Sequence, residues 1–347
     1  MNKFKLYFLA ICTLLGLFSC GKADDDIVYE QLRYYGPQYA ADLALIEQFL
    51  QTHYIEEIVN NPGAPNDQDI KISAIPEGDT TKEPIWDSPM LHYKEVYYNL
   101  LNYKVYYLSL RDGVGETPTR VDGVLAAYDG AYLSLDGADP ISTRFEYIPL
   151  PNSFFALPST IVGWQEIFPL FRNGTVAPGE GSNPALYTDF GAGVMFLPSA
   201  LAYYNVKQTT SDAAITIPAY SPLMFSFKLY DVRRLDQDGD GILSINEDLD
   251  GDGTYTDDDT DGDGTPNYLD TDDDGDGYLT KDECKFVKRE GDSPTGTILY
   301  TTYYPFNGAV TDDPATEYFD ERWGVPNCAG DTQTPTRLRK YLDNSCH

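Results

Sequence analysis

Apolar positions follow several rhythms along this chain. From Gln38 to Asn60 they recur every three or four residues: Leu43, Ile46, Phe49 and Leu50 share one face while Asp42, Glu47 and Gln51 point away. That spacing predicts an amphipathic helix packed on a neighbouring domain. From Tyr103 to Leu110, and again towards Tyr128, aromatic and aliphatic residues alternate as in strands, with a turn at Asp112-Gly113. Ile161 and Val162 are β-branched, Gly163 lets backbone come close, and Trp164 opens a short apolar helical run to Phe168. An indole is therefore expected where a strand gives way to a helix, at the floor of a pocket. Two later segments, Val194 to Tyr204 and Ile215 to Val232, supply Tyr203, Ile217 and Phe225 as walls, and the adjacent Phe154 and Phe155 read as core. Asn61 to Ser88, rich in Pro, Gly, Asp and Thr, reads as a linker. The glycine-rich stretch from Phe171 to Val194 reads as a flap over the pocket mouth.

Composition sharpens this picture. With 347 residues, 42% apolar and 14% aromatic, the chain can bury a core. It carries 24 Lys plus Arg against 55 Asp plus Glu, a formal net charge of -31, which repels nucleic acid and invites cations. The charge is concentrated: Asp236 to Glu283 holds nineteen acidic residues and one base, Lys281. No Ser-His-Asp set, zinc motif or paired catalytic carboxylates appear, and His53, His92 and His347 are scattered, which disfavours a hydrolase.

The order Ile161-Val162-Gly163-Trp164, then Pro198 to Tyr203 with Leu201 and Ala202, then Ile217-Pro218 and a closing strand of alternating apolar residues resembles the FKBP-type peptidyl-prolyl isomerases. The spacing of Gly113, Gly115, Pro118, Asp122, Tyr128 and Gly130 is similar to the first half of that domain. Phe145-Glu146 stands where the family has Phe-Asp, and Tyr204 where it usually has Gly. The resemblance implies an α+β fold, an antiparallel sheet wrapped on a short helix. It implies a pocket floored by Trp164 and walled by Tyr128, Phe145, Ile161, Ile217 and Phe225. Tyr203 would donate its hydroxyl to the substrate amide carbonyl, the Ile161 N–H would hold a second carbonyl, and catalysis would need no cofactor.

The acidic block carries placed glycines. Asp236, Asp238, Asp240, the Ile242 carbonyl and Glu247 fill an EF-hand calcium loop, as do Asp272, Asp274, Asp276, the Tyr278 carbonyl and Glu283. Two looser copies lie between them, Asp248, Asp250, Asp252 and Asp259, Asp261, Asp263, each closing on Asp, the second at Asp270. Loop starts 12, 11 and 13 residues apart leave no room for flanking helices. The array resembles thrombospondin type 3 repeats, and structural Ca2+ is the expected ion.

Lys3 and Lys5 precede an apolar run from Leu6 to Phe18 that is too short to span a membrane stably and reads as a signal peptide. Its end, Ser19-Cys20, resembles the bacterial lipobox, with Cys20 lipidated; Asp24 to Asp26 resembles a surface-export signal of Bacteroidetes lipoproteins, with a plain solvated tether as the alternative. An exported chain tolerates disulfides, and of the remaining cysteines Cys328 with Cys346 is the preferred pair, leaving Cys284. The expected organisation is a signal peptide over 1–19; tether, helix and linker over 20–89; an FKBP-type domain over 90–233; a calcium array over 234–284; and an aromatic, cysteine-bearing segment over 285–347 that packs on the array. The expected function is prolyl isomerisation of exported client proteins at the outer membrane. A non-catalytic binding module and a calcium-dependent structural lipoprotein are the alternatives. The number of copies in the assembly is left open.

Overall fold

The computed structural model describes residues 32–179, 185–209, 215–292, 295–313 and 319–346. The signal segment and Cys20 lie outside the described residues. No helix among the described residues is long and apolar enough to cross a membrane. Tyr35–His347 forms one compact unit, continuous across the positions where composition changes.

Helix α1 spans Tyr35–Thr52 and hands over directly to β1, His53–Ile58, which pairs antiparallel with β2, Ile70–Ala74. The expected helix to Asn60 therefore ends early, and the expected linker contains a strand. Ile55 and Ile58 pair with Ile72 and Ile70, and Tyr54 with Ser73; aromatic or β-branched side chains fit a pleated ribbon better than a helix. Fully buried Asp67 orders the turn between them, accepting from the Asn61 N–H at 2.9 Å and pairing with Arg111 at 3.0 Å.

The main sheet is antiparallel, in the order β3 (Leu91–Tyr98), β4 (Leu101–Arg111), β10 (Gly191–Leu197), β13 (Leu223–Arg233), β5 (Gly123–Asp136), β6 (Asp139–Ile148), with β7 (Phe155–Ala156) beside β5. Every residue of β10 is buried, because both sheet faces are covered. Met195 and Leu197 point to the face that packs helix α2, Val162–Ile167, while Val194 and Phe196 point to the face that packs α1 through Ile46, Phe49 and Leu50. Along β13, Phe225, Phe227 and Leu229 share the α2 face and Tyr230 alternates to the other; a register shift between Leu229 and Asp231 then returns Val232 to the α2 face.

Residues after Phe171 form β8 (Thr175–Ala177) and β9 (Leu186–Thr188), and here the structure corrects the expected flap. Tyr187 stacks on Tyr230 at 5.0 Å, on the sheet face opposite Trp164, so the base of this insertion does not cover the pocket. Residues 180–184 lie outside the described residues.

Asp42 also departs from expectation. It is buried, accepting from the Ser199 N–H at 2.8 Å and the Ser199 hydroxyl at 2.6 Å, because α1 presents this edge to the loop after β10. Helical periodicity marks a polar residue as outward-facing, whereas a carboxylate that accepts several hydrogen bonds can be buried at acceptable cost. Asp42→Ala removes those acceptors and should lower unfolding stability by about 1–3 kcal/mol. Denaturant unfolding measures this, and an unchanged midpoint would show that the loop stands without α1.

Candidate functional site

Helix α2 is short, and its position is fixed from three sides. Ile161 precedes it in extended conformation, and its carbonyl accepts from the Trp164 N–H at 2.9 Å. Gly163 packs on β10 so closely that a Cβ there would lie 2.4 Å from a Leu197 methyl. Buried Glu166 is held by Lys94 at 2.8 Å and Arg120 at 3.1 Å, anchoring the helix to β3 and to the β4–β5 connection.

This placement seats the Trp164 indole, 5% exposed, against four rings: Tyr128 at 5.1 Å, Phe168 at 5.2 Å, Phe225 at 5.4 Å and Phe155 at 5.6 Å. All four meet it edge-on, the favoured arrangement for aromatic quadrupoles. The β5–β13 register sets Phe225 opposite Gly130, where a Cβ would come within 2.7 Å of the Phe145 ring; glycine lets Phe145 and Phe225 meet at 5.7 Å. The seven expected pocket residues thus share one apolar cluster, with Phe145, Trp164, Ile217 and Phe225 buried and Tyr128, Ile161 and Tyr203 part-buried against them.

Polar groups at this cluster are few. The Tyr128 hydroxyl donates to Glu146 at 2.5 Å, so the Phe-Glu dipeptide supplies both a ring and an acceptor. Burial, and then Glu146, pushes the Tyr203 phenol up, which keeps it protonated as a donor. Neither the Tyr203 hydroxyl nor the Ile161 N–H has a hydrogen-bond partner among the described residues. A separate cleft of about 100 Å³ lies between Gln68, Asp69, Arg144 and Lys228, but its charges are already paired, Lys228 with Asp69 at 2.5 Å and Arg144 with Asp129.

The support of Tyr203 was not legible in sequence. Tyr204 adopts φ +48°, the left-handed conformation suited to glycine, at about 1–2 kcal/mol for a side chain. Tyr35 stacks on Tyr204 at 4.5 Å and Tyr220 meets it edge-on at 5.0 Å, offsetting that cost. With Asp42 on Ser199, the first turns of α1 brace the loop on both sides of Tyr203. Tyr204 at a position where the resemblance leads one to expect glycine, together with the aromatic start of α1, is the signal that could have suggested it.

The acidic array is a repeated turn. In the first three loops the leading Asp accepts from two glycine N–H groups, as Asp236 does from Gly239 at 2.8 Å and Gly241 at 3.1 Å; Asp248 and Asp259 repeat this, and Asp272 accepts from Gly277 at 3.1 Å. These glycines have positive φ, which is why the spacing needs them. The carboxylates of Asp236, Asp238 and Asp240 converge, with one oxygen of each within 4.8 Å of the others, and Asp248, Asp250 and Asp252 and Asp259, Asp261 and Asp263 do likewise. Asp270 accepts from the Asp272 N–H at 3.0 Å, and Tyr278, exposed, donates its N–H to Asp276 at 2.7 Å. The side chain of Ile242 is buried, and its N–H donates to Asp240.

The donors suit a hard cation. Buried oxygens of Asp238, Asp240, Glu247, Asp272, Asp274 and Glu283 have no hydrogen-bond partner, and a buried carboxylate in that condition costs several kcal/mol. Burial, followed by neighbouring carboxylates, pushes Glu247 up to about 10 and Glu283 up to about 8. Oxygen-only ligands in glycine-rich loops match Ca2+ rather than a transition metal.

The array docks on the sheet domain and on the tail. Tyr255 and Tyr268 pack on Val121, Gln237 donates to the Val121 carbonyl at 2.9 Å, and Arg234 pairs with buried Asp122. On the other side Ile242 and Cys284 share a cluster with Val325 and Tyr341. Cys328 and Cys346 are joined, their Cα atoms 5.8 Å apart, and Cys284 is free and buried.

Comparison with known proteins gives the following likenesses. The family described as BamM C-terminal matches residues 237–318. No curated protein matches the chain. A peptidyl-prolyl cis-trans isomerase from Pseudomonas syringae pv. tomato is similar at 21% identity and TM-score 0.29, over 43% of this chain and 84% of that one. FkpA from Escherichia coli is similar at 24% identity and TM-score 0.24, over 38% of this chain and 48% of FkpA. The N-terminal domain of FKBP42 from Arabidopsis thaliana is similar at 10% identity and TM-score 0.25, over 37% of this chain and 85% of that one. Among the described residues this chain is mostly antiparallel sheet with few helices.

Proposed function

We propose that this chain is an FKBP-type peptidyl-prolyl cis-trans isomerase acting on exported proteins, with a C-terminal array stiffened by calcium. The observation that carries the proposal is the Trp164 cluster: seven residues from distant motifs share one apolar site, edged by two hydrogen-bond donors without partners among the described residues. The barrier to prolyl rotation, roughly 18–20 kcal/mol, comes from amide resonance, which the twisted transition state has lost. A dry apolar site that fits the twisted form lowers this barrier without proton transfer. The proline ring rests on Trp164 between Phe145, Ile217 and Phe225. Tyr203 donates to the amide carbonyl, the Ile161 N–H holds a second carbonyl, and Glu146 orients Tyr128. The leading segment with Cys20 supports export and lipid anchoring, and the likeness to BamM C-terminal supports association with the outer membrane. Calcium would be held by the four loops through their Asp carboxylates, Glu247 and Glu283, where it supplies charge compensation and rigidity.

Tyr203→Phe removes only a hydroxyl, so the fold should persist while kcat/KM for a Leu-Pro peptide falls about tenfold, the loss of about 1.4 kcal/mol of transition-state stabilisation. Trp164→Ala together with Tyr203→Phe should abolish measurable catalysis in the same protease-coupled assay. Unchanged exchange in both variants removes the assignment of this pocket, and a wild type that binds Pro-rich peptide without turnover replaces the isomerase with a binding module.

Chelation should expose Asp236 to Glu283 to protease, because nineteen carboxylates with few apolar side chains cannot hold a fold against their own repulsion. The Trp164 cluster has its own core, so peptide turnover should largely survive. Equal protease resistance with and without chelator defeats the calcium reading. Labelled palmitate should be incorporated into the wild type and lost on Cys20→Ala; labelling that persists in the variant removes the anchor.

A further inference from the structure

The second position of each acidic loop sets the fourth loop apart. These residues are Gln237, Leu249, Thr260 and Asp273. Within its own loop each donates its backbone N–H to a later side chain: Ser244 at 3.3 Å, Asp258 at 3.0 Å, Asn267 at 2.9 Å and Thr280 at 3.2 Å; the side chains of Thr260 and Asp273 also accept, from Asn267 and Thr280. The loop fold does not require a carboxylate at this position, since Leu249 has no polar side chain and Thr260 accepts with a hydroxyl. A carboxylate at 273 needs another reason.

Its surroundings give one. Asp273 is 1% exposed; one oxygen accepts from the Thr280 hydroxyl at 3.1 Å, and the other is buried with no partner. Besides Thr280 of its own loop, it faces the first loop. One oxygen each from Asp240, Glu247 and Asp273 lie within 4.8 Å of one another, and all three residues are buried. Asp240 keeps one buried oxygen unpartnered, and Glu247, 1% exposed, keeps both. No ion pair reaches these three among the described residues; Lys281 gives its ammonium to the Gly239 carbonyl at 3.3 Å. Oxygens at this separation can share a centre 2.3–2.6 Å from each, the calcium–oxygen distance. The apolar contact of Ile242 in the first loop with Cys284, just past the fourth, independently holds the same two loops together.

We propose that Asp273 is a ligand of the cation bound by the first loop, so that one divalent ion of calcium's size ties the first loop to the fourth. This rests on the reading of the array as a calcium binder and adds a site spanning 26 to 37 residues of chain, counted from Glu247 and from Asp236 to Asp273. The first site is then incomplete until the fourth loop has folded against it. The array closes head to tail instead of loading loop by loop.

The test is calcium titration by calorimetry on the chelator-stripped full mature chain, with bound ions counted by native mass spectrometry. Asp273→Asn keeps an oxygen to accept from Thr280 but loses the charge, and should weaken one ion about 10- to 100-fold while the others hold. Exposed Asp257→Asn, which removes the same charge outside the proposed ligand set, should change little. Glu247→Gln should weaken that same ion, and adding Asp273→Asn to it should cost less than threefold more, because two ligands of one ion are not independent. Additive losses, or an Asp273→Asn titration matching that of Asp257→Asn, overturn the bridge while leaving the calcium reading intact. A wild type that takes up no calcium overturns both.

Discussion

The site depends on how one indole is held. Trp164 sits on a six-residue helix too short to be stable alone, so its position comes from tertiary contacts. Gly163 against Leu197 sets the distance to the sheet, and Glu166 between Lys94 and Arg120 sets the orientation. Edge-on rings then close around the indole from β5, β13 and the segment before α2. The antiparallel register of β5 and β13 makes this possible, since a slip of one residue would turn Tyr128 and Phe225 to the opposite face.

The same sheet is covered on its other face by α1, and this second layer reaches back to the site. A loop carrying a donor must be rigid to be useful, yet the Tyr203 loop follows a strand end and includes a left-handed Tyr204. Asp42 and Tyr35 supply the missing rigidity from outside the domain that the motifs outline. The N-terminal helix therefore belongs to the same structural unit as the Trp164 site.

The C-terminal half is governed by charge. Its loops are built from backbone N–H groups aimed at Asp side chains, an arrangement that concentrates carboxylates in burial where they repel one another. The apolar side chains of this half are spent at its edges, Tyr255 and Tyr268 on Val121 and Ile242 on the tail, so a cation is the natural centre for what lies between. Arg337 and Arg339, donating to the Val325 carbonyl at 2.6 Å and to Asn307 at 2.6 Å, order the basic tail that completes the packing.

The sequence by itself determined the parts whose physics is local. Alternating apolar residues marked the strands, Gly163-Trp164 marked the strand-to-helix junction, and the glycines at fixed offsets in the acidic block marked turns that only positive φ can make. The seven residues of the Trp164 cluster were legible through the resemblance of the motifs that carry them, and the structure gathers them in one apolar cluster. Only the tertiary structure decided what depends on surfaces meeting. Asp42 looks solvent-facing until a loop from residue 199 arrives, the stretch after Phe171 looks like a lid until Tyr187 finds Tyr230, and Asp273 looks like one more acid until Glu247 lies beside it. Each of those contacts joins residues far apart in the chain, and neither periodicity nor propensity carries information about a partner that distant.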